Sequence, residues 1–313
     1  MEKILLKNTF TNNFEEQQSY SKGCWVKIVN PTEEELTDIS KKFNIEKEVL
    51  DDVLDDESVA LIEKEIGDGY ILVILRVPFL SNAGFVVTMP LGILFLTKKD
   101  LIITISKVED EASNKLFSKP PLKFRTDKKS IFFSTLLRKI LNQYMRQLNT
   151  IEKEINGVEK SIKNSLTNKE IVDLLSFQKT LVYFKTSMVG NKKVVSKISL
   201  GRIFSIGEEN KELLEDALID IDEAQQLISI YGEIIKNTID AYSSIVSNNL
   251  NLIMKFLALV TIALSIPTKI FSLYGMNVPL PTQTNDFTFI LLIILSVAFS
   301  GLAILFFKLK KWM

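Results

Sequence analysis

Apolar and polar residues follow three rhythms along this chain, and each rhythm predicts a different kind of element. Up to Pro120-Pro121 the apolar runs are short and rich in β-branched residues. Cys24 to Val29 (CWVKIV) predicts a strand. The following NPTEEEL opens a helix, with Asn30 or Thr32 as its cap and acids in its first turn. Tyr70 to Val77 (YILVILRV) is a further β-rich run. Leu91 to Leu96 and Leu101 to Ser106, joined by Thr97-Lys98-Lys99-Asp100, predict a hairpin. Their near-continuous apolarity argues for a sheet covered on both faces. This is a mixed α/β domain over residues 1–121, and no Gly-rich phosphate loop follows any of its strands.

After Pro121 the rhythm changes, and no proline recurs until Pro267. Leu137, Leu141, Tyr144, Leu148, Ile151, Ile155, Val158 and Ile162 return at spacings of four and three, a heptad-like stripe on a long helix. Thr167 to Glu170 (TNKE) reads as a capping box that restarts a second, antiparallel helix. A third begins near Lys211. If continuous from Glu212 to Ile266 it would measure roughly 80 Å. Residues 122–250 are thus expected to be coiled-coil-like helices ending in a stalk helix.

The third rhythm is continuous apolarity. Phe287 to Phe307 (FTFILLIILSVAFSGLAILFF) carries no charge. As a helix it covers roughly 30 Å, enough to cross a bilayer core and long for a buried helix of a globular domain. Phe256 to Leu273 is weaker, since it carries Pro267 and Lys269, but a partner span close by supports it. Residues 251–313 are therefore expected to form a membrane domain, with spans at about 252–273 and 287–307 and a connecting loop at 274–286. Lys255 precedes the first span; Lys308, Lys310, Lys311 and Trp312 follow the second; the loop has no basic residue. The positive-inside rule puts both termini in the cytoplasm and the loop outside. The start, MEKILLKNTFTNNFEEQQ, returns to acids too early for a secretory signal.

Composition narrows the chemistry. The 313 residues carry 38 basic and 38 acidic side chains, so no global charge favours nucleic acid. Cys24 is the only cysteine and histidine is absent, which removes intrachain disulfides, CxxC sites, the commonest general base and the commonest zinc ligand. Metal chemistry here must use oxygen ligands, which favours hard ions such as Mg²⁺. Without a nucleophile motif or phosphate loop, neither an enzyme nor a site for a small organic substrate is expected.

Two features of the membrane region ask for a use. Ser272 to Asp286 (SLYGMNVPLPTQTND) is an almost uncharged turn between the two most apolar parts of the chain. Asn251, Met254, Leu257, Thr261, Ser265 and Thr268 recur at spacings of three and four along one stripe of the first span. An amide, a thioether and hydroxyls make an odd face to offer lipid; they suit either a conduit or the packing of helices through small polar residues.

The order of a cytosolic α/β domain, long helices, two C-terminal spans and Tyr274-Gly275-Met276-Asn277 just past the first span resembles the CorA family of magnesium transporters, within the two-span GxN group. The resemblance covers essentially the whole chain. Ile45 to Asp56 (IEKEVLDDVLDD) is similar to the family's acidic segment, and Asp240 to Leu257 (DAYSSIVSNNLNLIMKFL) to its run-in to the pore. It implies an α+β membrane protein, a funnel-shaped homopentamer in the cytoplasmic (inner) membrane, in contact with lipid, with the first spans around one axial pore. The stripe residues would then line the pore, with Met254 and Leu257 as an apolar constriction. Gly275, Met276 and Asn277 would form a neutral collar whose oxygens accept hydrogen bonds from the waters of hydrated Mg²⁺, which dehydrates reluctantly. Gly275 is expected to permit a turn that a Cβ would forbid.

Between Glu46 and Asp68 there are ten acids against two lysines, ordinarily a solvated face. Asp51, Asp52 and, on the stalk helix, Asp216 match acids that the resemblance implies are regulatory. They would bind Mg²⁺ across subunit interfaces when its cytosolic level is high, and so favour the closed pentamer. Lys269, Ser265 and the position of Pro267 depart from the family's usual pattern, which bears on conductance and ion preference. The alternatives are transport of Co²⁺, Ni²⁺ or Zn²⁺ by the same architecture, or a membrane-anchored coiled-coil scaffold that transports nothing.

Overall fold

A computed structural model describes residues 2–7, 14–63, 69–81, 84–122, 124–161, 168–201, 203–278, 280 and 287–310. By compactness the chain divides into two units, Met1–Asn237 and Thr238–Met313. Strands β1 (Glu2–Lys7), β2 (Phe14–Glu16) and β3 (Trp25–Val29) come first, followed by α1 (Glu33–Phe43) and α2 (Lys47–Leu54). Next are β4 (Leu61–Glu63), β5 (Tyr70–Leu80), β6 (Val86–Leu96) and β7 (Leu101–Ser106). The remainder is helical: α3 (Glu111–Ser118), α4 (Lys129–Ser161), α5 (Asn168–Ser199), α6 (Glu208–Tyr274) and α7 (Phe287–Leu309).

In the first unit the strands form one sheet in the order β2-β1-β3-β7-β6-β5-β4, antiparallel except for the pair β3 and β7. Helices cover both faces. On one side Leu36, Ile39 and Phe43 of α1 and Leu50 and Val53 of α2 pack on Val26, Ile28, Leu72, Ile74, Leu94 and Ile103. On the other, Trp25 meets Phe132 of α4 edge-on at 5.3 Å, and its indole N–H donates to Thr104 Oγ1 at 2.8 Å. Every residue of β7 is buried, Thr104 and Ser106 included, as its near-continuous apolarity predicts.

Local chemistry explains the boundaries. Thr32 is the cap of α1: its hydroxyl accepts from the Glu35 N–H while the Glu35 carboxylate accepts from the Thr32 N–H. Asn44 closes the same helix in the left-handed region, φ 53°. The hairpin of β6 and β7 forms in the expected place, but β6 begins at Val86 and runs straight through Pro90. Proline is tolerated there because β7 ends at the register pair Leu91–Ser106, so the position facing that side has no ladder partner to lose. Pro78 of β5 lies likewise beyond the short β4, whose register ends at Leu61–Ile74.

The α4 stripe from Leu137 to Val158 is buried as its spacing requires; Ile162 lies outside the described residues, as does Thr167 of the expected capping box. A second heptad stripe, absent from the expectations above, runs along the first part of α6: Leu214, Ala217, Ile221, Ala224, Ile228, Tyr231 and Ile235 are all buried. Ion pairing of Lys192 with Asp222 ties α5 to α6.

In the second unit, α6 continues without a break to Tyr274, with Pro267 inside it, and α7 follows. Both are long and apolar enough to cross a membrane. The buried residues of α7, Thr288, Leu292 and Ser296, recur every fourth position, and its other faces expose Phe289, Ile290, Ile294, Val297 and Phe299. Lys311 and Trp312, taken as flanking anchors of the second span, lie outside the described residues.

Candidate ion pathway and acidic sites

The stripe residues of the first span share one side of α6. At 100° per residue, Leu257, Thr268, Thr261, Met254 and Ser265 fall within roughly 80° of one another, with Asn251 on the flank. Leu259, which is buried, and Ala263, whose carbonyl accepts from Ser300 of α7 at 3.0 Å, lie on a face roughly 160° away. The stripe thus points away from α7. Met254 and Leu257 are 65% and 51% exposed, and the other stripe residues are exposed or, for Ser265, half-buried.

The hydroxyls on this face are held in one orientation. Thr261 Oγ1 donates to the Leu257 carbonyl at 2.8 Å, Ser265 Oγ to that of Ile262 at 2.9 Å and Thr268 Oγ1 to that of Leu264 at 2.9 Å. With its proton committed to the helix, each oxygen turns its lone pairs outward. The face is therefore a ladder of acceptors, suited to a guest that donates hydrogen bonds.

The ladder leads to the C-terminal end of α6, where the last carbonyls carry the negative end of the helix dipole and the last turn holds no basic residue. Gly275 and Met276 continue the chain with N–H bonds back to Phe271 and Leu273, at 2.9 and 3.4 Å. Gly275, Met276 and Asn277 are all exposed. Gly275 is not in the left-handed region, so no positive φ demands glycine there. Its constraint is steric, since a Cβ would stand 3.3 Å from the Phe271 carbonyl oxygen, tighter than ordinary contact. Lys269 is exposed and stands roughly 70° from the centre of the stripe. No acid among the described residues pairs with it. The rest of the expected loop, apart from Val278 and Leu280, lies outside the described residues.

The acids of the first unit are separate in one chain. Asp51 and Asp52 are exposed on α2. Asp51 lines a 340 Å³ pocket with Glu33, Asp55 and Lys107. Asp216 is exposed on α6 and lines a 250 Å³ pocket with Asp220 and Arg138 of α4. Among the described residues, no three acidic or other ligating side chains converge to hold a metal. The donors are hard carboxylate oxygens, which suit Mg²⁺, but each cluster is at most part of a site. Arg138 was not foreseen; nothing in the sequence marks it, since it is distant from Asp216 along the chain.

Comparison with known proteins bears on the whole chain. A family model described as CorA-like Mg²⁺ transporter protein matches residues 20–310. The cobalt/magnesium transport protein CorA of Methanocaldococcus jannaschii is 26% identical over 294 residues, covering 92% of this chain and 90% of that one. The magnesium transport protein CorA of Helicobacter pylori is 22% identical over 327 aligned positions, covering 100% and 98%. The complete structure of the CorA magnesium transporter from Methanocaldococcus jannaschii superposes with a TM-score of 0.85 at 23% identity, covering 100% of this chain and 99% of that one, so the fold is shared from end to end. Matched from the first unit through the second apolar helix, the chain belongs to the family of CorA-like Mg²⁺ transporter proteins.

Proposed function

We propose that this protein passes hydrated Mg²⁺ across the cytoplasmic membrane as a homopentamer, with both termini in the cytoplasm and the stripe of α6 around a central pore. The observation that carries this function is the acceptor-lined face of α6, turned from α7 and leading to Asn277. A ring of copies facing it inward makes a lumen of oxygen atoms. The waters bound to a divalent cation are strong donors, and such a lumen accepts from them without stripping them. Met254 and Leu257 form an apolar constriction that gates by dewetting. At the outer mouth, the negative helix ends attract the cation. There the amide oxygens of Asn277, with the Gly275 and Met276 carbonyls, recognise its hydration shell; a neutral collar releases the ion more readily than five carboxylates would.

Regulation belongs to the same proposal. Asp51 and Asp52 on α2 and Asp216 on α6 are exposed acids that one chain does not bring together; a neighbouring copy would complete the set, and Mg²⁺ between them would favour the closed state.

Co²⁺ is a second cargo to consider, because the Methanocaldococcus jannaschii relative is named for both ions. Passage of a hydrated ion needs none of the soft ligands this chain lacks. The deciding experiment is purified protein in liposomes loaded with a Mg²⁺ dye, with Co²⁺, Ni²⁺ and Zn²⁺ as competitors. Uptake that Asn277→Ala abolishes or strips of selectivity is expected. Undiminished and equally selective uptake by that variant would defeat the role of the collar, and impermeable wild-type vesicles would defeat transport itself.

A further inference from the structure

Pro267 lies inside α6 and has no N–H, so the carbonyl of Ala263, four residues earlier, is left without its helical donor. In a hydrocarbon setting no water replaces that donor, and an unpaired carbonyl is costly. A side chain from the other span fills the vacancy: Ser300 Oγ of α7 donates to the Ala263 oxygen at 3.0 Å. The nearby hydroxyls are otherwise occupied within their own helices, Ser265 on Ile262, Thr268 on Leu264 and Ser296 on Ile293. Ser300 also continues the fourfold row Thr288, Leu292, Ser296 that is the buried side of α7.

We propose that Ser300 is a positioning residue for ion passage: its hydroxyl ties the second span to the proline hinge of the first and so holds the segment from Thr268 to Asn277 in its working position. Where a proline removes one rung of the helical ladder, the segments on its two sides pivot more easily. The bond from α7 replaces that rung with one anchored outside the helix. The consequence for transport rests on the function proposed above; the consequence for folding does not.

The test compares Ser300→Thr with Ser300→Val in the full chain. The two side chains share a shape and differ in the hydroxyl alone. In detergent, Val is expected to lower the Tm by several degrees against Thr. In liposomes Val is expected to reduce the maximum rate of Mg²⁺ uptake by about fivefold, the scale of one lost hydrogen bond, while Thr stays near wild type. Pro267→Ala supplies an N–H at position 267, so in that background Ser300→Val should cost little in Tm or in rate. Equal behaviour of Thr and Val, or an equal loss with and without Pro267, would overturn the proposal. So would a Tm difference with equal uptake rates, because the bond would then support the fold without positioning the pathway. If wild-type vesicles carry no divalent cation, the transport function fails, and the Tm comparison still decides the hydrogen bond.

Discussion

Replacing Gly92 by alanine probes how closely α2, the helix that carries Asp51 and Asp52, is seated on the sheet. Gly92 lies in β6 opposite Ile74, and a Cβ there would meet Val53 Cγ1 at 2.4 Å and Ile105 Cγ2 at 3.0 Å. Carbon atoms rest at about 3.5–4.0 Å, so the shortfall against Val53 exceeds about 1 Å. Val53 is fully buried in a helix, where a β-branched side chain has a single favoured rotamer, and it cannot swing aside. The backbone of Gly92 is not in the left-handed region, so the clash is the whole effect. Overpacking of this kind costs about 1–3 kcal/mol. For a unit of this size that corresponds to a fall in Tm of roughly 2–12 °C. Thermal unfolding of the full chain in detergent, followed by fluorescence of the buried Trp25, reads it directly. Val53→Ala removes the methyl groups that the new Cβ strikes. The double variant should therefore be less destabilised than the sum of the two singles, by about 1 kcal/mol or more. An unchanged Tm in Gly92→Ala, or strict additivity with Val53→Ala, would refute the seating described.

Two further outcomes follow. Burial alone would raise the carboxyl of Glu111, but the hydrogen bonds and charges of Lys115 and Arg146 outweigh it and hold the group below its usual 4.5. Its contribution is thus complete above that value and lost as pH falls through the depressed one. Since these groups are largely exposed, Glu111→Gln should lower stability near pH 7 by less than about 1 kcal/mol and change nothing below the depressed value, so the acid limb of a Tm–pH profile flattens by that amount. Asp52→Lys combined with Asp216→Lys should remove Mg²⁺-dependent protection from protease, and protection like that of the wild type would remove the regulatory proposal.

Much of this architecture was legible in local pattern. The hairpin of β6 and β7, the cap at Thr32 and the α4 stripe follow from periodicity and capping chemistry, and both apolar helices from the length of their apolar runs. The α6 stripe from Leu214 to Ile235 was legible in principle, with its spacings of three and four, but Ala217 and Ala224 weaken its apolar signal. The start of β6 was not, because Pro90 reads as a stop until the end of β7 is known. Nor was Arg138 beside Asp216, since nothing local joins α4 to α6 at that level.

From its residues alone the chain was bound to have two long apolar helices near its end, an almost uncharged segment between them and oxygen as the only practical ligand for a metal; these depend on residue type and order. Tertiary structure alone decided that β3 lies beside β7, that Gly92 admits α2, that the hydroxyl face of α6 turns from α7, and that Ser300 answers the carbonyl Pro267 leaves bare. Periodicity states which side of an element is apolar or polar. Which partner that side meets depends on register between distant segments, and that is set when all of them are packed at once.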